Sequence, residues 1–270
     1  MGQGGALQQP HERGITVAQI KVVDKGVNNS VSLPQHWKIL RNSQVLIAGD
    51  NNTIAIGEKC RFDGLNIVLK GNNNTLQIGD NVLGTGVFTL SGSGKLLIGD
   101  NSTIGRCVMT AYHGTISIGK DCMFAQGLEI RTTDSHPVFD LRTRRRINSD
   151  RDVVIEDYVW CGARVTVLKG ARIAKSSIVA LGSIVTKQFE PFTLLGGYPA
   201  KVLRTGVTWT RRTRNEILEE DEVAMMYTAD WSQGAEYGPD PQPHRVETNA
   251  RKIPGWVNRF VSGTFSRRKI

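Results

Sequence analysis

The sequence predicts an all-β fold. The expected form is a parallel β-solenoid of hexapeptide repeats, with one protruding loop and a short helical or irregular C-terminal extension. Three observations lead there. A short turn signature recurs about every 20 residues, at Ile56-Gly57-Glu58, Ile78-Gly79-Asp80, Ile98-Gly99-Asp100 and Ile118-Gly119-Lys120. Asn-rich corners travel with it, at Gly49-Asp50-Asn51-Asn52, Gly71-Asn72-Asn73-Asn74 and Gly99-Asp100-Asn101-Ser102. Inside lies a finer step, with an apolar residue at every sixth position: Ile118, Phe124 and Ile130, then Ile155, Cys161, Val167, Ile173, Val179 and Val185. Four positions after most of these comes a small or branched residue: Cys122, Leu128, Val159, Val165, Ala171, Ser177 and Ser183.

A period of six is neither helical nor a simple strand alternation. It describes a short strand followed by a turn, and three such units close one coil of about 18 residues. One coil cannot bury its inward aliphatics, but stacked coils bury them against the same position above and below. Gly and Asn suit corners that need positive φ. An antiparallel sandwich does not demand a sixfold step held this long.

The elements follow in order. Residues 1–43 form an N-terminal segment with a possible strand at Val17–Val23. The repeat starts near Gln44 and fades near Thr186, within a domain of residues 44–204. A loop at 137–152 interrupts it. In the remainder, 205–270, a helix is expected from Arg211 to Met226, followed by a Pro- and Gly-rich stretch and a tail ending Arg267-Arg268-Lys269. Disorder is the plainer reading of that tail, and peripheral membrane contact through its basic residues is the alternative.

Composition narrows the classes. The chain has 270 residues, 39% hydrophobic and only 7% aromatic, enough for one core without an aromatic centre. No apolar run reaches the ~18 residues of a membrane span. Met1-Gly2-Gln3-Gly4-Gly5 does not read as a leader. Cys60, Cys107, Cys122 and Cys161 are far apart, which argues against a zinc ribbon or disulfide scaffold and for a reducing, cytoplasmic setting. The net charge of +9 invites a nucleic-acid reading, but the densest basic run, Arg142-Thr143-Arg144-Arg145-Arg146, sits in one loop without an aromatic platform.

That loop opens where the hexad breaks. After Ile130 the step calls for an inward aliphatic at 136, and the chain has His136 followed by Pro137. Imidazole is matched to proton transfer near neutral pH. Asp134 and Glu129 are near enough in sequence to orient its second nitrogen. A lone histidine more often just caps a turn, but the basic loop and the later Trp160 favour chemistry here. His113, in Tyr112-His113-Gly114, suits an acceptor-lining or structural role better than catalysis. His11, His36 and His244 lie outside the repeat and carry no pattern.

The following coils read Val159-Trp160-Cys161-Gly162, then Gly182-Ser183-Ile184-Val185-Thr186-Lys187, then Pro199-Ala200-Lys201-Val202. Together with Asp134-Ser135-His136-Pro137 and the Arg-rich loop, these resemble the hexapeptide-repeat acyltransferases. Within them the chain is similar to the maltose/galactoside acetyltransferase branch and to the capsule and sialic-acid-polymer O-acetyltransferases. The resemblance covers about residues 45–204. It implies a left-handed parallel β-helix, a homotrimer and acetyl-CoA held between neighbouring subunits, with no metal. It makes His136 the catalytic base and Trp160 an active-site residue, supported by Asp134. It places the coenzyme near Arg164, Lys169, Gly182, Ser183, Thr186, Lys187, Lys201 and Arg204. Where the family commonly has Ile-Gly-Asp-His-Val-Trp-Ile-Gly, this chain departs at Glu156, Tyr158 and Cys161.

The function expected on this basis is acetyl transfer from acetyl-CoA to a carbohydrate hydroxyl in a ternary complex. Arg144, Arg145 and Arg146, with Tyr112 and His113, would line the acceptor, an anionic polysaccharide. The same arginines could instead steer the coenzyme phosphates. Two other classes share the scaffold. A non-catalytic binding solenoid is one. A γ-carbonic-anhydrase-like metal site is the other, and it would need three histidines where the repeat has two.

Overall fold

In the computed structural model, residues 20–213, 217, 218 and 220 are described. They lie in the first of two units, residues 1–231 and 232–270. The expected solenoid is present, as a three-sided parallel coil. The first face carries Lys38–Arg41, Met123–Phe124, Trp160–Cys161, Ile178–Val179 and Thr193–Gly197. The second carries Ile20–Asp24, Ser43–Ala48, Leu128–Arg131, Thr166–Val167 and Ile184–Val185. Three long strands, Arg61–Lys70, Leu83–Ser91 and Thr103–Tyr112, bend across the corner and join these two faces into one 14-stranded sheet. The third face is a separate sheet of eight strands, from Ser30–Ser32 to Gln188–Phe189.

Register shows why the sequence repeats. Val45 pairs with Ile67, Ile67 with Phe88, Phe88 with Met109, and Met109 with Ile130. Val167 and Val185 continue this column. All seven are buried, so each coil supplies the apolar neighbour that the next one lacks. On the third face the step shortens from 20 residues, Ile98 to Ile118, to 18, Ile155 to Ile173. Between them 37 residues separate the partners Ile118 and Ile155, because the loop is inserted there.

The corners need left-handed backbone. Asn28, Asn51, Asn73, Ser93 and His113 supply it between the second and third faces, with φ from 49° to 61°. Asn tolerates this conformation best after Gly. Buried amides add a ladder. The Asn52 Oδ1 accepts from the Asn74 backbone N–H and Nδ2, both at 2.9 Å, and Asn29 stands in the same relation to Asn52.

The first coil begins at Ile20, where Ile20–Asp24 pairs in parallel with Ser43–Ala48, so coil-forming strands precede Gln44. The hydrophobic step is less regular there, which hid them. The last strand, Ala200–Thr205, instead turns back antiparallel onto Thr193–Gly197 and closes the end of the stack. The helix expected over 211–226 falls largely outside the described residues, and 211–213 form bends instead. The tail at 267–269 is also outside them. Among the described residues no helix is long and apolar enough to cross a membrane.

Replacing Asn74 with alanine removes its Nδ2 bonds to Asn52, Lys70 and Gly71 and its Oδ1 bond from Gly94. The unfolding free energy is expected to fall by about 1–3 kcal/mol, read from the urea midpoint at unchanged slope.

Candidate functional site

The insertion leaves the second face after Arg131 and returns at Val153. Its two ends are tied to each other and to the coil. The Arg151 N–H donates to the Thr132 carbonyl at 3.1 Å, and the Thr115 N–H donates to Asp152 Oδ1 at 2.7 Å. Thr132 Oγ1 donates to the Tyr112 carbonyl and accepts from the Tyr112 N–H. The outer part folds as a small hairpin, with a bridge between Phe139 and Arg146. Its tip carries Leu141, which is 94% exposed.

Lys169 lies under this loop with its side chain only 11% exposed. Its ammonium donates to Asp134 Oδ2 at 2.6 Å and to the carbonyls of Asn148 and Ser149 at 2.8 and 3.0 Å. Three donors meet three acceptors, so none is left for a coenzyme phosphate. The expected coenzyme role of Lys169 is replaced by fastening the loop. Lys169 first, then the Asn148 amide, hold the Asp134 carboxyl below its usual range. A depressed carboxyl stabilises the native state above its ordinary pKa, and that contribution is lost as pH falls through the lowered value.

His136 is exposed at the loop base. Its backbone is held: the N–H donates to the Asp134 carbonyl at 2.8 Å, and the carbonyl accepts from Asn148 Nδ2 at 2.8 Å. The ring itself has no hydrogen-bond partner among the described residues. Asp134 does not orient it, because its carboxylate is taken up by Lys169 and Asn148. Glu129 does not either, since it pairs with Arg131. Arg144 and Arg145 make no ion pair among the described residues. Arg146 folds inward, to Asp150 Oδ1 at 3.3 Å and Asn148 Oδ1 at 3.2 Å, and so braces the loop.

Trp160 sits elsewhere, on the first face, between Met123 and Ile178. It is 37% exposed. The segment after the last strand returns to cover this face. Trp209 stacks on Tyr158 at 4.7 Å, lies 6.0 Å from the Trp160 ring, and donates from Nε1 to the Tyr158 carbonyl. Arg211 fastens the segment further, donating to Thr103 Oγ1 and to the Asn101, Asp121 and Cys122 carbonyls. Sequence reasoning missed both residues. A tryptophan just past the last repeat of an aromatic-poor chain was the available signal.

The remaining expected residues divide among the edges. Tyr112 and His113 stand next to the loop base, their rings edge-on at 4.2 Å, with Thr186 and Lys187 exposed on the corner at the end of the same face. The His113 ring overlies Gly92, where any Cβ would clash, and its φ of 49° makes it a corner residue. Arg164 and Gly182 turn the corner between the first and second faces, with open space beside Gly182. Ser183 is buried, donating to the Ala180 carbonyl and accepting from the Gly197 N–H, so it braces that corner from inside. Lys201 and Arg204 are exposed on the final strand. His136 thus shares its loop with Arg144 and Arg145, and that loop leaves the coil beside Tyr112, while Trp160 lies on the first face.

Other nucleophiles are disfavoured. Burial pushes the Cys107 and Cys122 thiols up to about 12 and Cys161 well above its ordinary value, so none offers thiolate at neutral pH. Among the described residues no group of three or more His, Cys, Asp or Glu could hold a metal ion. Trp209, only 6% exposed, anchors the covering segment. Trp209→Ala is therefore expected to cost about 3 kcal/mol in chemical denaturation.

No curated family profile matches the chain. Individual relatives do. The chain is 38% identical over 201 residues to a polysialic acid O-acetyltransferase of Neisseria meningitidis, covering 73% of this chain and 93% of that protein. A crystal structure of the polysialic acid O-acetyltransferase OatWY superimposes with a TM-score of 0.72 at 36% identity, over 77% of this chain and all of that one. NeuO, a polySia-specific acetyltransferase, gives 0.72 at 29% identity, over 78% and 97%. With coil and relatives in agreement, the chain belongs to the hexapeptide-repeat O-acetyltransferases, enzymes built on a parallel β-helix.

Proposed function

We propose that this enzyme moves the acetyl group of acetyl-CoA to a hydroxyl of an anionic polysaccharide, with His136 as general base. The observation that carries this reading is the exposed imidazole, unbonded among the described residues, on the same loop as Arg144 and Arg145, which make no ion pair there. The names of the relatives, which point to a polymer of sialic acid, support an acidic glycan as acceptor. The thioester is already activated. His136 takes the hydroxyl proton as the oxygen attacks the thioester carbonyl, then returns it to the departing thiolate. Base assistance of this kind contributes about 10²–10⁴-fold. No covalent enzyme intermediate is needed, so both substrates bind together. Acetyl-CoA supply fits a cytoplasmic enzyme.

Trp160 stands on the first face and His136 on the insertion that leaves the second, which favours a site shared between neighbours in a homotrimer. Lys187, Lys201, Arg204 and Arg164 remain exposed or corner cations suited to the coenzyme phosphates. His136→Ala is expected to lower kcat by at least about 10²-fold while leaving coenzyme binding intact. Mixing His136→Ala with Trp160→Ala subunits should restore about a quarter of the sites, if each site draws one residue from each neighbour. Full activity of the His136→Ala protein would overturn the base assignment.

Charge steering gives a second expectation. Replacing Arg144 and Arg145 with glutamine should raise the acceptor KM at low ionic strength, with less effect at high salt, because screening already weakens the attraction there. The coenzyme KM should stay. A rise in the coenzyme KM alone would assign the loop to the phosphates.

A further inference from the structure

We propose that Asn148 is the positioning residue for His136, an inference that rests on reading His136 as the base. Its carboxamide straddles the histidine. Nδ2 donates to the His136 carbonyl at 2.8 Å and to Asp134 Oδ2 at 2.9 Å. Oδ1 accepts from the Val138 N–H at 2.7 Å and from Arg146 Nε at 3.2 Å. Residues 134, 136 and 138 are therefore gripped by one side chain. Its two N–H groups and two lone pairs are all used. The amide orientation is fixed chemically as well, since a backbone N–H cannot accept and a carbonyl cannot donate.

The grip matters because only backbone contacts place the imidazole, and Asn148 adds to the bond from the His136 N–H to the Asp134 carbonyl. The ring makes no hydrogen bond among the described residues, so its location follows from the backbone that carries it. Pro137 stiffens the next step but offers no N–H. Asn148 is itself seated on the coil, because its own carbonyl accepts from the nearly buried Lys169. The chain of fixation thus runs from the coil through Lys169 and Asn148 to His136. Asp134, expected to orient the ring, acts instead as the shared acceptor that locks Lys169 and Asn148 together.

Aspartate at 148 tests this with almost no change of shape. It keeps the acceptor for Val138 and Arg146, but sets carboxylate oxygen against the His136 carbonyl and the Asp134 carboxylate. In the full-length protein, with acetyl-CoA and polysialic acid as substrates, Asn148→Asp is expected to lower kcat by about tenfold to a hundredfold. Both KM values should stay within about twofold, since the amide's donors and lone pairs are all engaged within the loop. Exchanging the pair, Asp134→Asn with Asn148→Asp, restores a donor facing an acceptor between 134 and 148 but leaves a carboxylate oxygen against the His136 carbonyl. The double variant should therefore stay within about threefold of the single one in kcat. An Asn148→Asp enzyme with kcat within twofold of wild type overturns the proposal, as does a double variant restored to wild-type kcat, which would assign the effect to the 134–148 contact alone. His136→Ala, run in parallel, separates the two ideas. If it retains full activity, the base assignment falls. If it is inactive while Asn148→Asp is unimpaired, only the positioning role falls.

Discussion

Everything in this molecule depends on each coil presenting its inward side chains at the height where the next coil needs them. A single turn of chain has too little interior to fold. Stacking makes Val45, Ile67, Phe88, Met109 and Ile130 one continuous column, and the parallel backbone ladder holds its spacing. The left-handed corners and the buried Asn ladder follow from the same requirement. A corner that failed to turn at Asn73 or Asp121 would throw the following face out of register. Permitted variation is confined to the corners and outward positions.

The edge that carries the inserted loop is accordingly exposed rather than enclosed. Its order comes from hydrogen bonds instead of a surrounding core. Lys169 illustrates the consequence. On an exposed edge a lysine contributes little, because water screens it. Nearly buried under the loop, with one carboxylate and two carbonyls as acceptors, it becomes the post to which the insertion is tied. Among the described residues Arg144 and Arg145 make no ion pair, while Arg146 pairs with Asp150. The loop separates its positive charges into one that holds it together and others that face outward.

The coil was legible because its physics is periodic. The sixfold apolar step from Ile118 to Val185 corresponds to buried positions with few exceptions, and the missing aliphatic at 136 marked where the chain departs. Less periodic features stayed hidden. The first coil, from Ile20, has short strands and half-buried residues that blur the step. Site residues were legible by type but not by task. Lys169 and Ser183 looked like coenzyme contacts because of their place in a motif, and only three-dimensional partners show that one ties the loop and the other braces a corner. Asn148 could not be singled out, since one asparagine in an irregular loop has no spacing to betray it. Contacts between Trp209 and Tyr158 join residues 51 apart, beyond the reach of any local pattern.

The insertion returns to the stack in perfect step. Ile116 meets Val153 and Ile118 meets Ile155 as if 37 residues were one ordinary turn. The hairpin therefore behaves as a removable attachment, clipped to the scaffold at its base and carrying no share of the column. Changes in its length or composition alter the surface it presents without retuning what keeps the coil folded. A lineage built this way can vary that surface at small risk to stability, and a protein engineer can exchange the attachment while leaving the scaffold untouched.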